Sequence, residues 1–172
     1  PHSRARTLLD KEPLTVPWVN TFKPDEVFVD IGANVGTYAI YGGIIGARVF
    51  AFEPEALNYA ELNKNIFVND LHGRVTAYCM AISDQADVSV LHLSAFVIAG
   101  SHHDFQDNWW EADRNIGGRL IKRDARPQQG CVSYSLDELV AKQVLPQPNH
   151  IKIDVDGFEN KAVGGAKAVQ GL

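Results

Sequence analysis

The run Val27-Phe28-Val29-Asp30-Ile31-Gly32-Ala33-Asn34-Val35-Gly36 limits what this chain can fold into more than any other stretch. Its β-branched and aromatic residues specify a buried strand, Gly32 and Gly36 bracket a tight turn, and Thr37 to Ile45 can follow as a helix. Strand, turn and helix in that order open an α/β domain with a mostly parallel sheet and helices on both faces, a Rossmann-like arrangement. Glycine at such a turn admits positive φ and lets a ligand approach the main chain without meeting a Cβ.

Two nucleotide cofactor classes use this geometry, and they differ in charge. A dinucleotide brings an anionic pyrophosphate to G-x-G-x-x-G, with the phosphate on the helix N-terminus. Here the middle glycine is missing and Asp30 sits where it would repel a phosphate. S-adenosylmethionine carries a sulfonium and an ammonium, which a carboxylate attracts, so Asp30 and the missing glycine favour the cationic cofactor. The next apolar run, Arg48 to Phe52, ends in Glu53-Pro54. An acid about twenty residues beyond the first glycine is placed to hold a ribose through its hydroxyls. Both cofactors have that ribose, so a nicotinamide oxidoreductase and a non-catalytic cofactor-binding domain stand as alternatives to a methyl-transferring enzyme.

A length of 172 residues fits a single domain with a sizeable core. The net charge of −5 argues against nucleic acid or an anionic membrane as the main partner, since both select a basic face. Cys79 and Cys131 lie far apart without metal-ligand spacing, and are expected to be buried reduced thiols of a cytoplasmic protein. No apolar run reaches membrane-spanning length, and Pro1 to Arg6 is not an apolar signal segment. With no Met at position 1, the chain is expected to be a piece of a longer polypeptide.

Residues 1–25 form a leading helical segment, with a helix over Thr7–Phe22 interrupted at Pro17 and with Trp18, Val19 and Phe22 covering a sheet edge. A helix is expected from Pro54 to Asn69, with Tyr59, Leu62 and Ile66 inward and Asn58, Asn63, Asn65 and Asn69 in solvent or capping roles. A third strand follows over Arg74–Ile82.

Residues 84–134 read as an insertion. Val88–Leu93 alternates like a strand and Cys131–Tyr134 is its returning partner. Between them lie His102, His103 and Asp104, the indoles Trp109 and Trp110, and the basic group Arg114, Arg119, Lys122, Arg123 and Arg126. Such a loop is either a lid, with indoles walling the acceptor and cations pairing its anionic group, or a solvated loop. The stretch from Ser101 to Arg126 is expected to be the most mobile. Ser135 then caps a short helix, and a fourth strand, Ile151–Val155, gathers Asp154 and Asp156 at its end. Ligands of open α/β sheets sit outside the carboxyl ends of the strands, so both acids would face the crevice of Gly32 and Glu53.

The succession VDIGANVG, AFEP and IKIDVDGFE, followed by Gly164-Gly165-Ala166, closely resembles the FkbM-type S-adenosylmethionine-dependent methyltransferases from about Glu12 to the end. The resemblance implies a class I methyltransferase fold acting on a hydroxyl oxygen of a small-molecule acceptor, a glycan, polyketide or other secondary metabolite. It implies that Asp30, Gly32, Asn34 and Gly36 surround the methionine part of the cofactor, that Glu53 holds the ribose, and that Met80, Ala81, Ile82 and Ser83 lie by the adenine. Asp154 and Asp156 would stand near the transferred methyl; the family often has Glu at the latter position. Methyl transfer from a sulfonium asks mainly for in-line positioning, which supplies about 7–11 kcal/mol of the barrier. A general base adds roughly 10²–10⁴-fold, and the candidates are Asp156, Asp154, His102 and His103; no metal is expected. Asp154 has the alternative of capping the next helix, and the histidines of being loop residues. The sheet order implied is 3-2-1-4-5-7-6, of which four strands are read here. The fourth would be an open edge, with Ala162 to Leu172 as the helix leading onward, and this piece alone is expected either to be poorly stable or to associate through that edge, as in a homo-oligomer.

Overall fold

The computed structural model of the chain describes residues 13–94, 96–101, 104–105, 114–116, 119–121, 127–155, 157–169 and 171. It begins with helix α1 (Thr15–Val19), strand β1 (Val27–Ile31), helix α2 (Thr37–Ile44), strand β2 (Arg48–Phe52), helix α3 (Ala56–Val68) and strand β3 (Val75–Tyr78). Short strands β4 (Ala81–Ile82), β5 (Asp87–His92), β6 (Asp104–Phe105), β7 (Arg114–Ile116), β8 (Arg119–Ile121) and β9 (Gln128–Tyr134) follow. The chain then returns through helix α4 (Leu136–Ala141), strand β10 (His150–Ile153) and helix α5 (Glu159–Gly164).

The principal sheet has the order β10-β1-β2-β3 and is parallel throughout. β1 lies inside it, and each of its residues is buried because helices cover both faces. Alternation along β1 and β2 divides the core. Phe28 and Val49 pack with Val19 of α1, Ala39 of α2 and Leu62 of α3. Val29, Ile31, Phe50 and Phe52 pack on the other side with Leu136 and Leu139 of α4 and Ala162 of α5.

β10 is an edge of this sheet among the described residues, and α1 lies over it. The Phe22 ring stacks on His150 at 3.7 Å between centroids, with Trp18 edge-on to both. Pro17 does not interrupt the helix it was expected to break. It is the third residue of α1, within the first turn, where an N–H has no intrahelical partner to lose. Residues 1–12 lie outside the described set.

Three further expectations are corrected. Arg74–Ile82 is not one strand: β3 ends at Tyr78, and after a bend at Cys79 and Met80 the chain enters a second sheet as β4. α3 starts at Ala56, because the Glu55 side chain accepts from the Leu57 and Asn58 amides and caps it. The last helix is Glu159–Gly164, not a run from Ala162. It stops at Gly165, where an added Cβ would stand 2.1 Å from the Ser83 carbonyl oxygen.

The second sheet has the order β4-β9-β5-β6. β5 and β9 pair antiparallel from Asp87↔Ser133 to His92↔Gln128, as their alternation implies. The insertion between them holds regular structure as well as loop, since β6 adds to β5 and β7 pairs with β8. Trp109, Trp110, Lys122, Arg123 and Arg126 lie outside the described residues, as do the side chains of Arg114 and Arg119.

Candidate functional site

The carboxyl ends of β1, β2 and β10 meet at the Gly32–Gly36 turn. Gly32 has φ +76, and a Cβ there would lie 2.0 Å from the Asp154 carbonyl oxygen, so only glycine lets the turn rest on the chain leaving β10. The Gly32 and Ala33 amides both donate to the Phe52 carbonyl at 3.0 Å, which ties the turn to the end of β2. Asn34 is left-handed at φ 51, and its Oδ1 accepts from the Val35 amide at 2.9 Å, a local bond that suits asparagine to that conformation. Asn65 of α3 braces the turn from behind, donating to the Val35 carbonyl at 2.8 Å.

Glu53 stands beside this turn. Its Oε2 accepts from the Asn34 amide at 2.8 Å and its Oε1 from the Glu55 amide at 2.9 Å. Burial pushes its carboxyl up to about 7, against the Glu55 and Asn34 amides that favour the ionised form. A carboxylate offers about four acceptor sites, so two amide bonds leave capacity for hydroxyl donors. The Glu53–Ala56 corner is gripped from the second sheet: Gln129 of β9 donates to the Pro54 carbonyl at 2.6 Å and accepts from the Ala56 amide at 2.9 Å.

Asp30 is placed differently from the expectation of an acid facing the ligand. It is fully buried beneath the turn, neither carboxylate oxygen has a hydrogen bond, and burial raises its carboxyl above the ordinary range. Lys152, its neighbour across the β1–β10 register, supplies the opposing charge at 3.6 Å. The same ammonium donates to Asp154 at 3.2 Å and lies 5.0 Å from the centre of the Tyr38 ring. Asp154 keeps a half-exposed side chain at the rim. The cluster therefore joins two carboxylates and one ammonium under the open ends of the strands.

Ala81, Ile82 and Ser83 are buried in packing rather than lining the rim. Ile82 belongs to the core under β1 and β2, and the Ser83 amide donates to the Tyr134 carbonyl at 3.0 Å. The residues at the end of β3 are Cys79 and Met80. Cys79 is exposed, contrary to the expectation of two buried thiols, whereas Cys131 is buried; neither is in a disulfide. Asp156, His102 and His103 lie outside the described residues, so the structure brings Asp30, Gly32, Asn34, Gly36, Glu53 and Asp154 together and leaves those three unplaced. Among the described residues, no cluster of three or more His, Cys, Asp or Glu side chains could hold a metal ion.

Sequence reasoning missed Glu55, Asn58, Gln129 and Lys152. Asn58, expected in solvent or as a cap, is fully buried. A lysine between Ile151 and Ile153 in an apolar strand signals a buried partner, and Glu55 just before a helical run signals a cap. Gln129 carries no such mark.

The family model described as the methyltransferase FkbM domain matches residues 30–170. The hexuronic acid methyltransferase AglP of Haloferax volcanii is 28% identical over 141 residues, covering 82% of this chain and 50% of that protein. The 31-O-demethyl-FK506 methyltransferase FkbM of Streptomyces tacrolimicus is 33% identical over 161 residues, covering 84% of this chain and 61% of that protein. The chain thus spans about half to three fifths of the length of these relatives. Among solved structures, Pyrococcus horikoshii TYW2 in complex with MeSAdo is 29% identical, with a TM-score of 0.37 over 41% of this chain and 29% of that one. No helix among the described residues is long and apolar enough to cross a membrane.

Proposed function

Since the chain belongs to the FkbM methyltransferase domain family, we propose that it serves S-adenosylmethionine-dependent methylation of a hydroxyl oxygen on a small molecule, glycan or polyketide. The observation that carries this reading is Glu53. It is a buried carboxyl at the end of the second strand, held by the Asn34 and Glu55 amides beside a glycine turn, with acceptor capacity left for ribose hydroxyls.

The residues present fit the cofactor. Gly32, Asn34 and Gly36 would hold its methionine portion and Glu53 its ribose, with Cys79 and Met80 at the adenine end. When bound, S-adenosylmethionine supplies the activated methyl group. The chain contributes position and charge: the turn is fixed by the Phe52 carbonyl, and the Asp154 carboxylate at the rim favours a cation over a pyrophosphate. Asp154, half-exposed and oriented by Lys152, would take the proton of an acceptor hydroxyl. Asp156, His102 and His103 remain the other candidates for that step. Both named methyltransferase relatives suggest a hydroxylated metabolite as acceptor, and the free thiols suit a reducing, cytoplasmic setting.

Calorimetric titration with S-adenosylmethionine and, separately, NADH tests the cofactor. A screen of uronic acids, glycosides and macrolide alcohols, read out as S-adenosylhomocysteine, tests the acceptor. Binding of NADH without binding of S-adenosylmethionine would overturn the reading.

A further inference from the structure

Asn58 belongs to α3, and its backbone amide is already used by the Glu55 cap. Its side chain is fully buried and faces a chain segment forty residues away. Oδ1 accepts from the Ala99 amide at 2.8 Å and Nδ2 donates to the Gly100 carbonyl at 3.1 Å. A primary amide matched to one N–H and one C=O of neighbouring residues reads the backbone of that segment as a strand partner would. The same Gly100 carbonyl accepts from Asn34 Nδ2 at 2.7 Å. Asn34 in turn donates its backbone amide to Glu53. A continuous path therefore runs from the Glu53 carboxyl through Asn34 to Gly100, and back through Asn58 to the start of α3.

The segment so held is a closed loop. Ser94 Oγ donates to the Ser101 carbonyl at 2.5 Å across its base, and the Gly100 amide donates to the Val97 carbonyl at 3.1 Å. Ala99 has φ 62, a conformation that a residue with a Cβ adopts at a cost and that persists where neighbours enforce it. The tip presents Phe96, Val97 and Ile98 to solvent, three consecutive apolar side chains beside the cofactor turn. Among the described residues, Asn34 of the glycine turn and Asn58 of α3, the helix that begins just after Glu53, fix the Gly100 carbonyl.

We propose that Asn58 is a positioning residue that docks the loop carrying Ala99 and Gly100 on the cofactor turn, so that cofactor binding and the placement of this loop are energetically coupled. The proposal rests on the cofactor reading above and adds to it which residue carries the coupling. Because coupling free energy is reciprocal, a ligand that orders Asn34 and Glu53 tightens the loop, and releasing the loop weakens that ligand.

The test uses the full-length protein with S-adenosylhomocysteine as the probe. Calorimetry on the wild type comes first, and absence of binding there would refute the cofactor reading and this coupling with it. Amide exchange at Ala99 is then followed with and without the probe. Saturating probe is expected to slow exchange at Ala99 in the wild type. Asn58→Ala is expected to speed that exchange, to remove its dependence on the probe, and to weaken binding by at least about fivefold, the lower end of ordinary coupling. If Asn58→Ala fails to fold, Asn58→Asp, which keeps an acceptor for the Ala99 amide and loses the donor to the Gly100 carbonyl, is read by the same two measurements. A wild type that binds the probe with no change at Ala99, or a folded variant that binds as tightly as the wild type, would overturn the proposal.

Discussion

Replacing Glu53 by glutamine removes one charge and keeps the shape, and the structure sets both the sign and the size of the result. Burial holds the Glu53 carboxyl at about 7 rather than the ordinary 4.5. A carboxyl raised on folding contributes stability that is full below the unfolded value and is lost as pH climbs through the folded one. Between pH 4.5 and 7 the unfolded chain is ionised at this residue while the folded chain keeps its proton. Across that window the wild type loses about 3 kcal/mol from this group. Glutamine cannot titrate and escapes the loss. It has, however, one acceptor oxygen where the carboxylate has two, so either the Asn34 or the Glu55 amide is left unpaired, at about 1–3 kcal/mol. Glu53→Gln should therefore be the weaker protein near pH 5 and should gain on the wild type by about 2–3 kcal/mol by pH 8. Asp30, raised by burial, adds a slope of the same sign to both proteins and cancels in the difference. Urea unfolding of both proteins at several pH values across this range measures it directly. Stability curves that run parallel would show that Glu53 is not held protonated by burial, and the reasoning would fail.

Gly32→Ala forces a Cβ to within 2.0 Å of the Asp154 carbonyl oxygen at positive φ, and should destabilise by roughly 2–4 kcal/mol. A thermal midpoint equal to that of the wild type would contradict the contact. Lys152→Met leaves Asp30 buried without its opposing charge and should cost about 3–5 kcal/mol at pH 8, while Lys152→Met combined with Asp30→Asn should recover more than half of it. Strict additivity of the two substitutions in denaturant unfolding would mean that the pair does not interact.

The parallel sheet, the glycine turn and the place of Glu53 were legible because each is written locally. An apolar strand, two glycines and an acid at a strand end lie within a few residues of one another, and periodicity carries them. The β5–β9 pairing was legible for the same reason. What escaped depends on distance in sequence. Nothing near Gln129 says that its amide will grip Pro54 and Ala56, and nothing near Asn58 says that it will meet Ala99 rather than water. Asp30 was found as an acid at the turn, but its burial became evident only with Lys152 opposite it, since that pairing is a matter of strand order. The split of Arg74–Ile82 was hidden because both halves alternate acceptably. Only the bend at Cys79 and Met80 sends them to different sheets.

The parallel pairing of β1 with β10 has a consequence for how such a chain diversifies. β1 and β2 meet across a gap of about twenty residues, whereas the Val27–Asn149 contact that begins the β1–β10 seam spans 122. Closing the longer loop rather than the shorter costs only about 1.6 kcal/mol of chain entropy, because the penalty grows with the logarithm of length. Chain entropy thus sets little limit on how many residues lie between β6 and β9, while the seam holds Asp30 against Lys152. A scaffold of this kind separates the strands that hold the glycine turn from the segments whose length is free to vary.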